Sequence, residues 1–195
     1  MHLDHILIML KLDKSSFSYT SLFCEENIWK LIESLLNYKS IKPLDVLFLI
    51  NHSEKIAIFN QLKSELNQPV IWDYHVILSA LIDDETVILD FDSRDSFPAK
   101  IDSYFRKTFS DWHHIAKDYQ PLLKAINAEH YHQHFSSDRS HMRNIIPESE
   151  FPKYKTIQDN NSESALWLSE CRDISIFDDN IKILTPENYL NNQLI

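Results

Sequence analysis

The stretch that decides the fold runs from residue 70 to residue 91 and reads VIWDYHVILSALIDDETVILDF. Two runs of β-branched and aromatic residues flank the polar tip Asp83-Asp84-Glu85, and this pattern predicts an antiparallel hairpin. The chain contains no glycine. Turns that need a positive φ must therefore use Asn or Asp. The candidates are Asn67, Asp83-Asp84, Asn160-Asn161 and Asp178-Asp179-Asn180.

The register of this hairpin decides which side chains meet. If the numbers of paired residues sum to 167, His75 lies opposite Asp92 and diagonal to Asp90. Side chains alternate between the two faces of a strand, so all three would share one face. A register shifted by one residue would place Phe91 there instead. We expect the first register, because it puts a histidine beside a carboxylate.

A helix is predicted to begin close to Cys24. Apolar side chains recur with the spacing three, one, three, one at Ile28, Leu31, Ile32, Leu35 and Leu36. Ser21 is the expected N-cap, and Glu25 and Glu26 in the first turn complement the helix dipole. Cys24 would then lie at the helix N-terminus.

The other elements make the predicted fold α+β. Strands are expected at 1–12, 45–50, 70–81 and 86–91 and as a pair within 173–184, and helices at 53–66, 100–109, 122–135 and from Pro186. A chain of 195 residues without an internal repeat or linker predicts one domain over residues 1–195. Residues 1–12 are too short and too polar for a signal sequence or a membrane span. We therefore expect a cytoplasmic protein.

The charge and composition of the chain indicate which classes of molecule it can bind. The chain has 19 Lys and Arg against 29 Asp and Glu, a net charge of −10. This charge disfavours nucleic acid or an anionic membrane as the main partner, whereas a cationic peptide terminus would suit it. Without glycine, Gly-rich phosphate loops are excluded. Cys24 and Cys171 are expected to be free thiols, and the protein is expected to be a monomer.

Three residue types needed for thiol chemistry are present together. A cysteine nucleophile requires a base that takes its proton and a third group that orients the base. Cys24 at a helix N-terminus beside an imidazolium at His75 would have a lowered pKa. Asp90 or Asp92 on the neighbouring strand could fix the tautomer of His75. Spacing alone leaves open that Cys24 is a small buried hydrophobe and His75 a hydrogen-bonded core residue.

Three stretches of the chain are similar to a known family. They are CEENIWKL at 24–31, PVIWDYHV at 69–76 and SDRSHM at 137–142, and they resemble the signature stretches of the protein N-terminal glutamine amidohydrolase family. The likeness continues through Leu89-Asp-Phe-Asp92, Phe97-Pro98 and Tyr104, so that it covers roughly residues 19–157. The C-terminal part is similar only loosely.

The resemblance implies a fold, an activity and a site. It implies an α+β fold like that of transglutaminases and papain, in a single catalytic domain with the cysteine at a helix start packed on an antiparallel sheet. It assigns the triad to Cys24, His75 and Asp90. The implied reaction converts the N-terminal glutamine of proteins or peptides to glutamate, with a thioester intermediate and release of ammonia, and requires no metal or organic cofactor. The new N-terminus would mark proteins for degradation, or the enzyme of a bacterial pathogen would act inside a host cell.

A terminal substrate needs a group that holds its free α-ammonium. Glu25, Asp73 and Asp92 are the candidate substrate-binding residues. Each has a structural alternative, because Glu25 could serve the helix N-terminus and Asp73 the loop. Arg139 could shape the site, or it could clamp a loop by pairing with Asp138 or another carboxylate.

Two other functions remain open. With the same triad, the protein could be a deamidase or cysteine protease that acts on an internal glutamine of a partner protein. A non-catalytic binding module could use His130, His132 and His134, but on a helix only the first and last share a face, and zinc needs three or four convergent ligands. We expect exposed polar histidines there. Trp29 and Trp72 are expected to be core aromatics.

Overall fold

The computed structural model describes residues 12–110, 112–159, 161 and 163–193. The α-helices in this part of the chain are α1 (Cys24–Leu35), α2 (Ile101–Thr108), α3 (Ala128–His134), α4 (Leu168–Arg172) and α5 (Pro186–Gln193). The strands are β1 (Ile41–Ile50), β2 (Ile56–Ile58), β3 (Val70–Trp72), β4 (His75–Ile82), β5 (Glu85–Leu89), β6 (Ala99–Lys100), β7 (Leu122–Asn127), β8 (Phe135–Ser136), β9 (Leu166–Trp167) and β10 (Ile181–Leu184). Single 3₁₀ turns lie at Lys14–Ser16, Trp112–His114, Lys117–Tyr119, Ser140–Met142 and Glu148–Glu150.

A large antiparallel sheet forms the centre of the fold, as the predicted α+β class requires. Its described strands follow the order β10-β7-β1-β4-β5-β6, and each neighbouring pair is antiparallel. Two short pairs lie outside it, β2 with β3 antiparallel and β8 with β9 parallel. The sheet therefore supplies a rigid platform on which the helices place their side chains.

Strand β1 shows why the sequence runs apolar without alternation. Val46, Phe48 and Ile50 belong to the core beneath α1 and α3, whereas Leu47 and Leu49 belong to a second core on the opposite face. Successive strand residues point to opposite faces. Because both faces are covered there, residues 46–50 of the strand are apolar without interruption. The second core is completed by side chains of α2 and α5, namely Ile101, Tyr104, Phe105 and Tyr189.

The β4–β5 hairpin has the predicted register. Its pairs run from Leu78 with Leu89 to Ile82 with Glu85, and every pair of numbers sums to 167. Asp83 and Asp84 at the tip have φ angles of 47° and 66°, and Asn67 has a φ of 63°. At these positions Asp and Asn take the place of glycine, as predicted. The prediction that positive φ requires Asn or Asp is wrong at Leu22, Glu54 and Arg139.

At other turns the φ angles differ from those predicted. The turn at 178–180 has no positive φ, because the Asp178 carboxylate closes it by accepting the N–H of Asn180 at 2.7 Å. Positive φ occurs instead at Leu22, Glu54, Asn60 and Arg139 in addition to the confirmed positions. Asn160 lies outside the described residues.

Helix α1 begins where the pattern predicted, with Cys24 as its first residue. Its apolar face is buried at Ile28, Leu31, Ile32 and Leu35. The expected N-cap at Ser21 is wrong, because Phe23 occupies the cap position and contributes no side-chain hydrogen bond. Glu25, Glu26 and Asn27 are also buried, since the first turn of α1 packs into the interior beside β4. This burial of two carboxylates is the feature that the amphipathic pattern did not show.

Two predicted helices are wrong in whole or in part. Residues 53–66 form the short strand β2 followed by turns, and all three residues of β2 are buried. The stretch 122–135 divides at Asn127, where β7 ends and α3 begins. The Asn127 carboxamide caps α3 by accepting the N–H groups of Glu129 and His130, each at 3.1 Å. A cap of this kind starts a helix, so the residues before it are free to join the sheet.

The remaining elements agree in part with the predictions. The helix at 100–109 is confirmed as α2 and the C-terminal helix as α5, and the strand at 45–50 is confirmed within β1. Of the strand pair at 173–184 only β10 forms, and it pairs with β7. The strand at 1–12 lies, apart from Leu12, outside the described residues. None of the helices in the described part of the chain has the length and apolarity that a membrane crossing demands.

Candidate active site

The three predicted triad residues come from three neighbouring elements. Cys24 opens α1, which packs on β4. His75 is the first residue of β4, and Asp90 directly follows β5. His75 Nε2 and Asp90 Oδ1 lie 2.9 Å apart, and both side chains are almost completely buried. The hairpin register thus brings the histidine and the first aspartate into contact.

Besides His75, three donors hold Asp90. Tyr104 donates its hydroxyl to Oδ2 at 2.7 Å, Gln61 donates its amide there at 3.3 Å, and the N–H of Asp92 reaches Oδ1 at 2.9 Å. Burial opposes ionisation, but His75 and these donors together hold the pKa of Asp90 below its usual value. The site therefore contains a fixed, ionised carboxylate that orients one ring nitrogen of His75.

Cys24 is partly buried and lies against the start of β4. The backbone N–H of Val76 hydrogen-bonds its sulfur, and the Glu25 carboxylate is 3.6 Å away. Burial first, and then the charges of Glu25 and Asp92, raise the pKa of the thiol well above its ordinary value. This direction is opposite to that predicted from the helix position, because the dipole of α1 and the Val76 N–H do not outweigh burial beside two carboxylates.

For the imidazole of His75, the effect of a neighbouring charge on the pKa outweighs the effect of burial. Burial disfavours the imidazolium, but the contact with Asp90 overcomes this effect and raises the pKa of His75 above its ordinary value. An imidazole with a raised pKa is a stronger base. The pair is therefore suited to accept a proton from a neutral thiol.

Cys24 and His75 open into the same cleft, which has a volume of about 390 Å³. Its walls combine apolar and acidic side chains, among them Leu22, Trp72, Asp73, Asp92, Met142 and Ile145. Trp72 packs on the ring of His75, with ring centroids 4.5 Å apart. The expectation that Trp72 is a core aromatic is confirmed in part, because it packs against the second core and also lines the cleft.

The structure separates the three candidate substrate-binding carboxylates. Asp92 lines the cleft, and its Oδ1 accepts the hydroxyl of Tyr19 at 2.7 Å. Asp73 lines the cleft too, but it is more than half exposed and lies 3.3 Å from the guanidinium of Arg172. Glu25 does not line the cleft and is fully buried. Its carboxylate accepts the Tyr74 hydroxyl at 3.0 Å.

Comparison with known proteins matches the sequence of this chain to a family. The model of the N-terminal glutamine amidase family matches residues 19–177. The chain belongs to this family. It is 39% identical over 128 residues to the protein N-terminal glutamine amidohydrolase of Danio rerio, covering 64% of this chain and 63% of that protein. The likewise named proteins of Homo sapiens and Arabidopsis thaliana are 36% and 30% identical over 129 and 142 residues.

The match to these relatives is partial in length. It covers 64% of this chain and 62% of the human protein, and 69% of this chain and 64% of the Arabidopsis thaliana protein. The chain thus spans less than two thirds of the length of the relatives that it matches. The family region nevertheless contains all of the residues that meet around the cleft between Tyr19 and Arg172.

Within this family region, Arg139 serves as a loop clamp. Its Nε and Nη2 form a bidentate pair with the Glu26 carboxylate at 2.8 and 2.7 Å, and Nη1 donates to the Pro152 carbonyl at 3.1 Å. The structural interpretation of Arg139 is confirmed, with Glu26 rather than Asp138 as its partner. The clamp joins the signature stretch 137–142 to the first turn of α1, next to Cys24.

Sequence reasoning missed several side chains of the family site. Tyr104 and Gln61 bind Asp90, and Tyr74 and His141 contact Glu25. Tyr104, Tyr74 and His141 carried a signal, since the likeness to the family includes Tyr104 and the stretches 69–76 and 137–142. Gln61 carried none, because it lies outside the matching stretches, in a segment whose pattern indicated a helix.

The three C-terminal histidines do not converge on one point. The rings of His130 and His134 have centroids 4.7 Å apart, and His134 Nδ1 contacts Asp159 Oδ2 at 2.9 Å. His132 instead stacks on Trp29, and its carbonyl accepts the indole N–H at 3.0 Å. Within the described residues, metal-compatible spacing occurs at His75, Asp90 and Asp92, which is the hydrogen-bonded candidate site itself.

Proposed function

We propose that this chain deamidates N-terminal glutamine on proteins or peptides, leaving an N-terminal glutamate and releasing ammonia. The observation that carries the proposal is the buried contact of 2.9 Å between His75 and Asp90 in a cleft that also contains Cys24. Membership of the N-terminal glutamine amidase family and the names of the relatives give the substrate class. In this proposal Cys24 is the nucleophile, His75 the general base and acid, and Asp90 the residue that orients His75.

The first step is attack on the side-chain amide. Asp90 occupies Nε2 of His75, so Nδ1 is the nitrogen that would take the proton of Cys24. The sulfur then bonds to the amide carbon and forms a tetrahedral oxyanion. The first turn of α1 has no side-chain cap, so its backbone N–H groups are suited to stabilise this oxyanion.

The second half of the cycle reverses the proton flow. The imidazolium of His75 protonates the departing nitrogen, the carbon–nitrogen bond breaks, and ammonia leaves a thioester on Cys24. Water then attacks the thioester while His75 takes its proton. The carbon–sulfur bond breaks, and the thiol is regenerated with an N-terminal glutamate as product. Each step uses groups of the chain itself, in an arrangement of the transglutaminase and papain kind.

The raised pKa of Cys24 assigns a specific task to His75. Burial and the charge of Glu25 keep the resting thiol protonated near neutral pH. Nucleophilic attack therefore depends on transfer of the thiol proton during the reaction. His75, whose own pKa is raised above that of a free imidazole, is the base that would accept it.

Asp92 is the strongest candidate for the α-ammonium of the substrate. It lines the cleft, and Tyr19 fixes one of its oxygens. The loop that carries it is held by Lys14, which donates to the carbonyls of Phe91 at 3.2 Å and Ser93 at 2.6 Å. A fixed carboxylate costs little reorganisation when it pairs with an ammonium. Glu25, which is buried and does not line the cleft, would act on Cys24. Asp73 would act at the exposed edge of the cleft.

A peptide panel tests this proposal. Gln-initiated peptides, the same peptides with an acetylated N-terminus, and peptides with one internal Gln are incubated with the protein, and ammonia is measured. We expect release from the free Gln-initiated peptides alone. Release of ammonia from the internal-Gln peptide alone would assign the chain to deamidases of internal glutamine. Release from none of the peptides would contradict the proposed chemistry.

A further inference from the structure

A second cleft of about 780 Å³ adjoins the candidate active site. His141 and Arg172 line both clefts, so the two spaces meet at these side chains. The lining of the second cleft combines the apolar side chains of Trp167, Leu168 and Ile174 with polar and charged ones. Asn51, Ser136 and Ser137 already hydrogen-bond within the protein, so His52 and Ser169 are the polar side chains better placed to meet a peptide backbone.

The two side chains at the junction are held in place. Arg172 lies 3.3 Å from Asp73, and its guanidinium stacks over the Tyr74 ring with 4.5 Å between Cζ and the centroid. It also faces Glu54 across the second cleft at 3.7 Å. His141 Nε2 is 3.4 Å from the buried Glu25 carboxylate. The two clefts are therefore bordered at their junction by side chains with fixed partners.

The second cleft carries an excess of negative charge. Three carboxylates line it, at Glu54, Asp138 and Asp173, against the single guanidinium of Arg172, which Glu54 already faces. The hydroxyl and N–H of Ser140 hold the pKa of Asp138 below its usual value. Ser175 does the same for Asp173. Both carboxylates are thus ionised at neutral pH. Arg143 lies near Asp138 and Lys124 near Asp173, but both cations donate to backbone carbonyls and neither lines this cleft.

We propose that the second cleft binds the substrate residues that follow the terminal glutamine, and that Asp138 and Asp173 favour basic side chains at those positions. The inference rests on the proposed function and extends it to a substrate class. The rest of the substrate chain must leave the first cleft, and the second cleft lies directly beyond His141 and Arg172. Residues of an extended chain advance by at most about 3.6 Å each, so the residues that follow the glutamine reach this space within a few positions.

Peptide length and charge test the inference with the unmodified protein. The panel contains Gln-Ala amide and hexapeptides that carry two Lys, two Ala or two Glu at positions three and four, all with a free N-terminal Gln. We expect kcat/KM for ammonia release to rise about tenfold from the dipeptide to the Ala hexapeptide, because binding energy remote from the reacting atoms supports the reaction. The Lys peptide is expected to exceed the Glu peptide by about four- to tenfold at low salt, as exposed ion pairs allow.

A double variant locates the effect. Asp138→Asn with Asp173→Asn keeps the acceptors that cap Ser140 and Ser175 while removing both charges. The matched control is Asp102→Asn with Glu187→Gln, which changes the net charge equally on α2 and α5, away from the clefts. The preference for Lys should disappear in the first variant and persist in the control.

The outcomes separate the two claims. Equal kcat/KM for every hexapeptide and for the dipeptide, with ammonia released from all, would overturn the inference and leave the proposed function standing. Loss of the Lys preference in the control variant as well would also overturn it, since the effect would then follow net charge. Ammonia from none of the peptides would overturn both. The peptide series alone decides if the double variant does not fold.

Discussion

The two cysteines of this chain are both free thiols, and they differ in almost every respect that matters for chemistry. Cys24 opens helix α1 at the edge of a cleft, beside a histidine–aspartate pair. Cys171 lies in α4 with none of its surface exposed, packed into the main core. Burial raises the pKa of both thiols. A shifted pKa therefore does not distinguish a nucleophile from a core residue here; access to substrate and to a base does.

The neighbours of the two thiols explain the contrast. Cys171 has Lys124 nearby, which favours a thiolate, but the Lys124 ammonium is engaged with the carbonyls of Glu170 and Asp173, each at 2.6 Å. These contacts tie β7 to the end of α4 and have a structural role. Cys24 has the Val76 N–H at its sulfur and shares its cleft with His75. The proposed function uses the first environment, in which a histidine shares the cleft with the thiol.

The largest expected effect is on kcat and comes from replacing Cys24, with replacement of Cys171 as the matched comparison. Cys24→Ala should lower kcat for ammonia release from a Gln-initiated peptide by a factor of about 10⁴ or more, since no other group can form the thioester. Cys171→Ala is the matched variant and should retain kcat within about twofold where it remains folded. Steady-state ammonia assays on both variants check this. Comparable losses in the two variants would contradict the assignment of Cys24.

The next effect separates the two aspartates beside His75. Asp90→Asn should lower kcat by a factor of about 10³ to 10⁴, because an amide no longer fixes the tautomer of the base. Asp92→Asn should instead raise KM by about tenfold with a smaller change in kcat, since it would weaken binding of the α-ammonium. Separate kcat and KM values from the same assay distinguish these results. A larger fall in kcat for Asp92→Asn would reverse the two roles.

The pH dependence of alkylation sharpens the comparison further. Burial, followed by the Glu25 charge, raises the pKa of Cys24. In the free protein, iodoacetamide labelling of Cys24 should therefore rise only above pH ~8.5, the ordinary value for a thiol. Glu25→Gln removes a charge that disfavours the thiolate, so its labelling midpoint should move to lower pH. Cys171 should stay unlabelled in the folded protein.

A control on the same helix makes the labelling result specific. Glu33 is an exposed residue of α1 that pairs with Lys30. Glu33→Gln should leave the labelling midpoint of Cys24 where it is in the unmodified protein. A midpoint for Glu25→Gln that stays the same or moves to higher pH would show that Glu25 does not act on the thiol.

The smallest expected effect is on the free energy of unfolding, where replacing Cys171 should matter more than replacing Cys24. Cys171 is fully buried in the main core, so Cys171→Ala should lower the free energy of unfolding by about 1–2 kcal/mol through lost packing. Cys24→Ala should cost less, because Cys24 is only partly buried. Urea denaturation of both variants measures the difference. Greater destabilisation by Cys24→Ala would point to a structural role for that thiol.

The hairpin shows what local sequence specifies in this molecule. Runs of β-branched and aromatic residues around a polar tip were enough to predict the β4–β5 hairpin and the register that brings His75 to Asp90. Both signals are local, since the turn fixes the pairing of adjacent strands. The same holds for α1, whose apolar spacing located its buried face and placed Cys24 at its first residue.

The missing parts of the site depend on contacts between distant residues. Strand β7 was interpreted as helix because its apolar residues suit either structure, and its pairing with β1 and β10 decides the outcome. Gln61 meets Asp90 across 29 residues, and Arg139 meets Glu26 across 113. The direction of the Cys24 pKa likewise depends on tertiary burial. No pattern within a short window of sequence contains this information.

One measurement tests the central claim, that Cys24 attacks the side-chain carbon of an N-terminal glutamine. A short peptide is made in which the diazoketone analogue of glutamine replaces the N-terminal residue, so that an alkylating carbon lies where the amide group would be. It is incubated with the protein, which is then digested and analysed by tandem mass spectrometry. We expect a single adduct on Cys24, suppressed by excess Gln-initiated peptide and absent from the N-acetylated probe. An adduct on Cys171, or none on Cys24, would contradict the account.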